Sequence, residues 1–188
     1  MANSATSLSQ QLLVALPVLD DPNFSRTVTL ICQHDGNGAM GIVVNRASEF
    51  SLGSLLSQLE IEGGAPELLA RPVLAGGPVH AERGFVLHDG DRDWDSSIRL
   101  PDGLRLTTSS DVLEAMARGE GPERALVALG CAGWGSGQLE QEIVENSWMT
   151  APADDAILFR LPIEQRWQAA AGLVGVDMST MARYSGRA

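Results

Sequence analysis

One run, Leu129 to Trp148 (LGCAGWGSGQLEQEIVENSW), limits the possible folds of this chain more than any other segment. Arg124 to Leu129 reads as a buried strand and Gln138 to Asn146 as an amphipathic helix, so a change of backbone period must occur between them. Gly130, Gly133, Gly135 and Gly137 fill that interval. They read as a glycine-rich loop, because glycine tolerates positive φ and lets another backbone come close. The loop holds Cys131 and Trp134. A thiolate is the one strong nucleophile available there, and an indole offers a large apolar surface with a polar handle.

These residues define the candidate site. Cys131 is the candidate nucleophile, and His88 is its candidate base because it ends the strand-like run Gly84 to His88 beside Asp89. The plainer reading is a buried, inert cysteine and a surface histidine. Gln138 and Glu142 stand four residues apart on one helix face, where they can meet a ligand or bond loop backbone. Trp134 and Trp148 can pack under the loop. Gly76-Gly77-Pro78 reads as a bend that could admit a second chain or a ligand. The ligand or partner candidates are therefore Gly76, Gly77, Gly130, Gly133, Trp134, Gly135, Gln138 and Glu142. Asn45-Arg46 closes a hairpin strand and suits backbone capping or a carboxylate contact.

A helix start can cradle an anion, but Glu140, Glu142 and Glu145 crowd this one and no Lys or Arg lies between Arg124 and Arg160. The GxGxxG fingerprint is missing as well, so phosphate binding is disfavoured. His34, His80 and His88 show no metal-ligand spacing, and neither a metal nor a cofactor is expected.

Elsewhere the patterning alternates short strands with short helices. Leu12 to Leu16 reads as a strand, Thr27 to Gln33 and Ala39 to Val44 as a hairpin, and Pro72 to Ala75, Gly84 to His88, Ile98 to Leu100, Leu104 to Thr107 and Ala156 to Phe159 as further strands. Leu52, Leu55, Leu56 and Leu59 fall on one helical face behind Ser51, and helices are also expected from Asp111 to Arg118 and from Glu164 to Leu173. The fold class is α+β: a mixed, largely antiparallel sheet with helices packed against it. Residues 1–9 read as a flexible tail and 10–188 as a single domain, with or without a small lobe.

Four segments together resemble the AlgH/YqgE family of bacterial proteins: Leu12 to Arg46, Leu74 to Gly90, Ala128 to Met149, and RWQAAAGLVGVDMSTMARYSGRA at the C-terminus. The resemblance implies a compact cytoplasmic α+β protein with a regulatory role, the family being commonly labelled transcriptional regulators, and no defined catalytic activity. The family pattern does not require cysteine at the position of Cys131, which weighs against a shared thiol mechanism.

Charge qualifies the regulatory reading. All 13 basic residues are arginines, scattered singly against 24 acidic residues, for a net charge of −11. Polyanion binding draws its affinity from neutralised phosphates, so direct nucleic-acid binding is disfavoured. A protein partner or a small ligand is expected instead. The alternative is a thiol-dependent enzyme or redox-responsive switch built on Cys131. No apolar run reaches membrane-spanning length and the N-terminus lacks a secretory pattern, so a cytoplasmic location is expected.

Overall fold

Strand-forming runs dominate the chain, and the computed structural model, which describes residues 6–178 and residue 180, joins them in a curled mixed sheet. In order the elements are β1 (Gln11–Ala15), β2 (Val28–Asp35), β3 (Gly38–Val43), β4 (Ala47–Ser51), α1 (Leu52–Gln58), α2 (Pro66–Leu69), β5 (Pro72–Ala75) and β6 (Val79–His88). Then come β7 (Ser97–Arg99), β8 (Arg105–Thr107), α3 (Asp111–Ala117), β9 (Ala125–Gly135), α4 (Gln138–Val144), β10 (Trp148–Pro152) and α5 (Arg166–Gly172). The strands run in the order β10-β1-β2-β3-β9-β6-β8-β7, with β4 and β5 on a branch. All pairings are antiparallel except β5 with β9. The expected α+β class with a mixed, largely antiparallel sheet is what forms.

β9 is the axis of this sheet. Leu129 pairs with Ala75 on one edge and Gly84 on the other, so β5 and β6 flank β9 on opposite sides. Beyond β5, the same edge of β9 is taken by β3, with Gly41 opposite Ala132. Since β5 and β6 are consecutive in the chain, the link Gly76-Gly77-Pro78 must carry the backbone across the face of β9.

That crossing explains three glycines. The Gly76 amide donates to the Leu129 carbonyl at 2.8 Å, and the Gly76 carbonyl accepts from Val43 at 2.9 Å. A Cβ added to Gly77 would lie 2.2 Å from the Cys131 carbonyl carbon, and one on Gly130 would lie 2.3 Å from the Gly77 oxygen. One on Gly76 would lie 2.3 Å from the Gly130 oxygen. Gly130 also has φ +78°, a conformation that L side chains adopt at a cost.

Helices cover the remaining apolar surface. α1 starts on Ser51, whose Oγ accepts from the Ser54 amide at 3.1 Å, and it buries Leu52, Leu55 and Leu56 with α3 residues such as Val112 and Met116. Each fully buried leucine is worth about 2 kcal/mol. α5 closes a second cluster over Leu12, Leu30 and Ile42, while α4 buries Leu139 with Leu13, Ile31, Trp134 and Trp148. Arg46 donates to the carbonyls of Pro22, Asn23 and Ser25, and Asn45 bonds Val28 and Arg26, so this pair stitches down the loop between β1 and β2.

Four expectations change. Ala156 to Phe159 is a π-helical turn (Ala156–Arg160) and not a strand, because Asp154 caps the Ile157 amide at 3.0 Å and starts helical winding. β4 and β10 form where no strand is evident in the sequence, each beside one neighbouring strand. α4 ends before Asn146, whose positive φ of 58° stops the helix. Of the expected tail, residues 1–5 lie outside the described residues, whereas the Leu8 amide donates to His34 Nδ1 at 2.9 Å and its side chain packs on the α4 cluster.

Gly77→Ala and Gly130→Ala should each destabilise the protein by about 3 kcal/mol or more, from backbone overlap that no rotamer relieves. Gly133→Ala, whose Cβ would meet nothing closer than 3.8 Å, should change stability by less than about 1 kcal/mol. Chemical denaturation of the three variants checks the contrast.

Candidate functional site

The stretch expected as a loop from Gly130 to Gly137 is strand as far as Gly135, and Ser136 and Gly137 alone make the turn into α4. Gly130 reflects the crossing, whereas Gly133 and Gly135 pair with β3 and leave room for a Cβ, so they belong to the strand and not to a flexible excursion. Cys131 is buried at 4% exposure, and burial raises its thiol pKa. Cys32 shares its cluster and is pushed up to about 12 by burial and by Cys131 nearby. Neither thiol is set up as a thiolate nucleophile.

His88 lies far from Cys131. It sits opposite Ala125, six residues along β9 from Cys131, a separation of about 20 Å at the usual strand rise. Fully buried, it links a polar chain instead. Nδ1 faces the Asp89 carbonyl at 2.8 Å and must donate, so Nε2 accepts from Thr107 Oγ1 at 2.7 Å. Thr107 then accepts from Ser97 at 2.7 Å, and Ser97 accepts from the Trp94 amide at 2.9 Å. Burial lowers the His88 pKa and keeps the ring neutral.

Gln138 and Glu142 are drawn into the fold as well. Trp134 Nε1 and Trp148 Nε1 each donate to Glu142 Oε2 at 2.9 Å, and Gln138 Nε2 donates to Glu142 Oε1 at 3.1 Å. Gln138 Oε1 accepts the Gly135 amide at 2.9 Å. The indoles meet edge to face, with centroids 6.1 Å apart and Phe24 against both. Gly76 and Gly77 are occupied by the crossing. Gly133 is exposed on the strand, with Val79 Cγ2 its nearest neighbour. Among the described residues no three His, Cys, Asp or Glu side chains converge as metal ligands.

A groove of about 520 Å³ opens elsewhere, where the start of β9 meets the segment leading into α5. Four of the 13 arginines line it: Arg71 before β5, Arg124 before β9, Arg160 at the end of the π-helical turn, and Arg166 at the start of α5. Leu74, Met116 and Phe159 supply apolar wall, and Glu123 and Glu164 also line it. Arg124 is held by Asp89 at 3.0 Å and Asp155 at 2.5 Å, and its guanidinium lies 5.4 Å from the Phe159 ring. Arg166 is buried at 6% exposure and donates to the carbonyls of Leu161 at 3.0 Å and Val44 at 2.6 Å, while burial lowers its pKa. This site leaves no motif in the sequence, because its arginines stand singly in the chain. A shallow signal exists in Arg160 and Arg166, which bracket Leu161-Pro162.

The AlgH-like family model matches residues 12–179. A protein designated UPF0301 from Stenotrophomonas maltophilia is 61% identical over 186 residues, 99% of each chain. Another from Xanthomonas axonopodis is 62% identical over 183 residues, 97% of each. The solution structure of AlgH from Pseudomonas aeruginosa superposes with a TM-score of 0.80 at 43% identity, covering 100% of this chain and 98% of that one. A Corynebacterium diphtheriae protein, 20% identical with a TM-score of 0.73 over 97% of this chain, shares the fold. Among the described residues no helix is long and apolar enough to cross a membrane.

Glu142→Ala should lower the unfolding free energy by about 2 kcal/mol, because two buried indole donors lose a charged acceptor; urea titration measures it. For His88, the lowered pKa means the unfolded chain takes up the proton first as pH falls through the ordinary value of 6.5. The stability that depends on neutral His88 is therefore complete above about pH 6.5 and declines below it. Between about pH 7.5 and about pH 5.5, His88→Gln should lose less stability than the wild type in parallel denaturation curves.

Proposed function

This chain belongs to the AlgH-like family, and from that premise we propose that it is a cytoplasmic regulatory protein of bacteria that acts by binding, not turnover, through its arginine-lined groove. The observation that carries this reading is the contrast between whole and part. A chain of net charge −11 gathers four of its 13 arginines around one cavity; Arg124 is paired with Asp89 and Asp155, which leaves Arg71, Arg160 and Arg166 facing two lining glutamates, Glu123 and Glu164. Such a site attracts an anionic ligand or partner while the rest of the surface repels polyanions, which favours regulation through something other than direct DNA contact. Burial of Cys131, which raises its pKa, argues against the thiol-dependent alternative.

Arg71 and Arg160 are exposed, so reversing their charge leaves the core intact. In a bacterium lacking its own copy of the gene, wild-type protein should restore the transcript profile, and the Arg71→Glu/Arg160→Glu variant at equal folded abundance should not. Full restoration by the variant would remove the groove from the function.

A further inference from the structure

Among the four guanidinium groups of the groove, Arg166 is the unusual one. Buried cations in proteins are normally paired, because desolvation without a counter-charge is costly. Arg166 has two carbonyl acceptors, and among the described residues no carboxylate stands within ion-pair distance of it. Glu164 acts on it only through space. Arg166 nevertheless faces the groove, so the space beside it is where a missing negative charge would sit. Arg71 and Arg160 make no side-chain hydrogen bond or ion pair among the described residues and are free to help. Arg124 already holds two carboxylates and serves as wall.

Two further features narrow the occupant. The volume of about 520 Å³ lies within the range of small-molecule sites, and the wall beside the cations is apolar, formed by Leu74, Met116 and Phe159. Glu123 and Glu164 would repel a dianion more than a monoanion. A planar carboxylate also matches the forked donors of arginine. We propose that the groove binds a small amphipathic monocarboxylate, its head neutralising Arg166 with Arg71 and Arg160 alongside, and its apolar tail against Leu74, Met116 and Phe159. This identity rests on the groove being the recognition site.

The test uses the full chain and octanoate, octanamide and inorganic phosphate as probes, with backbone amide NMR shifts as the readout. Octanoate should shift the amides of Ala125 to Val127 and Ile163 to Arg166 saturably, about tenfold more tightly than the neutral octanamide and more tightly than phosphate. Arg71→Ala/Arg160→Ala, at exposed positions, should weaken octanoate about fivefold or more without changing the unperturbed spectrum beyond the substituted sites. Arg166→Lys, if folded, should weaken it as well. Equal affinity for octanoate and octanamide, tighter binding of phosphate, or the absence of saturable shifts in the groove would each overturn the proposal. Should octanoate fail while Arg71→Glu/Arg160→Glu still abolishes restoration in cells, the ligand class falls and the recognition site stands. Failure of both experiments would bring down both.

Discussion

The sheet depends on β9 being hydrogen-bonded along both edges by β3, β5 and β6. A strand paired on both edges through its middle cannot slip in register without turning its core face outward. Everything of consequence hangs from its two ends. The Gly135 end delivers Trp134 and the turn into α4, and the Ala125 end delivers Arg124 and the floor of the groove. The backbone crossing near its middle locks the two halves together.

Two kinds of polar burial divide the molecule. On the α4 side, Glu142 is surrounded by donors: two indoles and the Gln138 amide. Its carboxylate oxygens are hydrogen-bonded within the fold, as are both ring nitrogens of the neutral His88. On the groove side, Arg166 donates to two carbonyls, and among the described residues no carboxylate lies within ion-pair distance of it. Buried polar groups that are fully satisfied rigidify a core, whereas a buried cation without a counter-charge is costly and leaves a place for an anion. By that criterion the groove stands apart from the glycine-rich strand.

Much of the fold is readable in the sequence, because hairpin turns, the Ser51 cap and the leucine spacing of α1 are local signals. Gly130 to Gly135 misleads because glycine marks either a loop or a close backbone approach, and the difference lies in residues some fifty positions away, at Gly76 and Gly77. Ala156 to Phe159 misleads because four apolar residues have no resolvable period. The site is harder still. Arg71, Arg124, Arg160 and Arg166 share no motif, and only the sheet topology together with the docking of α5 and the π-helical turn on the start of β9 brings them to one cavity. The roles of Gln138 and Glu142 are half visible: their spacing places both on one face, while the acceptor role of Glu142 needs Trp148 to fold back beside Trp134.

The crossing of β9 has a consequence for how the chain reaches its native state. β5 and β6 are separated by three residues and would ordinarily zip together as a hairpin within microseconds. Here they must stay apart until a strand made much later in synthesis slots between them, since Leu74 pairs with Ala128 and Phe85 with the same residue from the other side. Ordering by such distant contacts slows assembly. The open fork of β5 and β6 therefore exposes two unpaired strand edges in the nascent chain, the species most prone to wrong partners before the last third of the protein has left the ribosome.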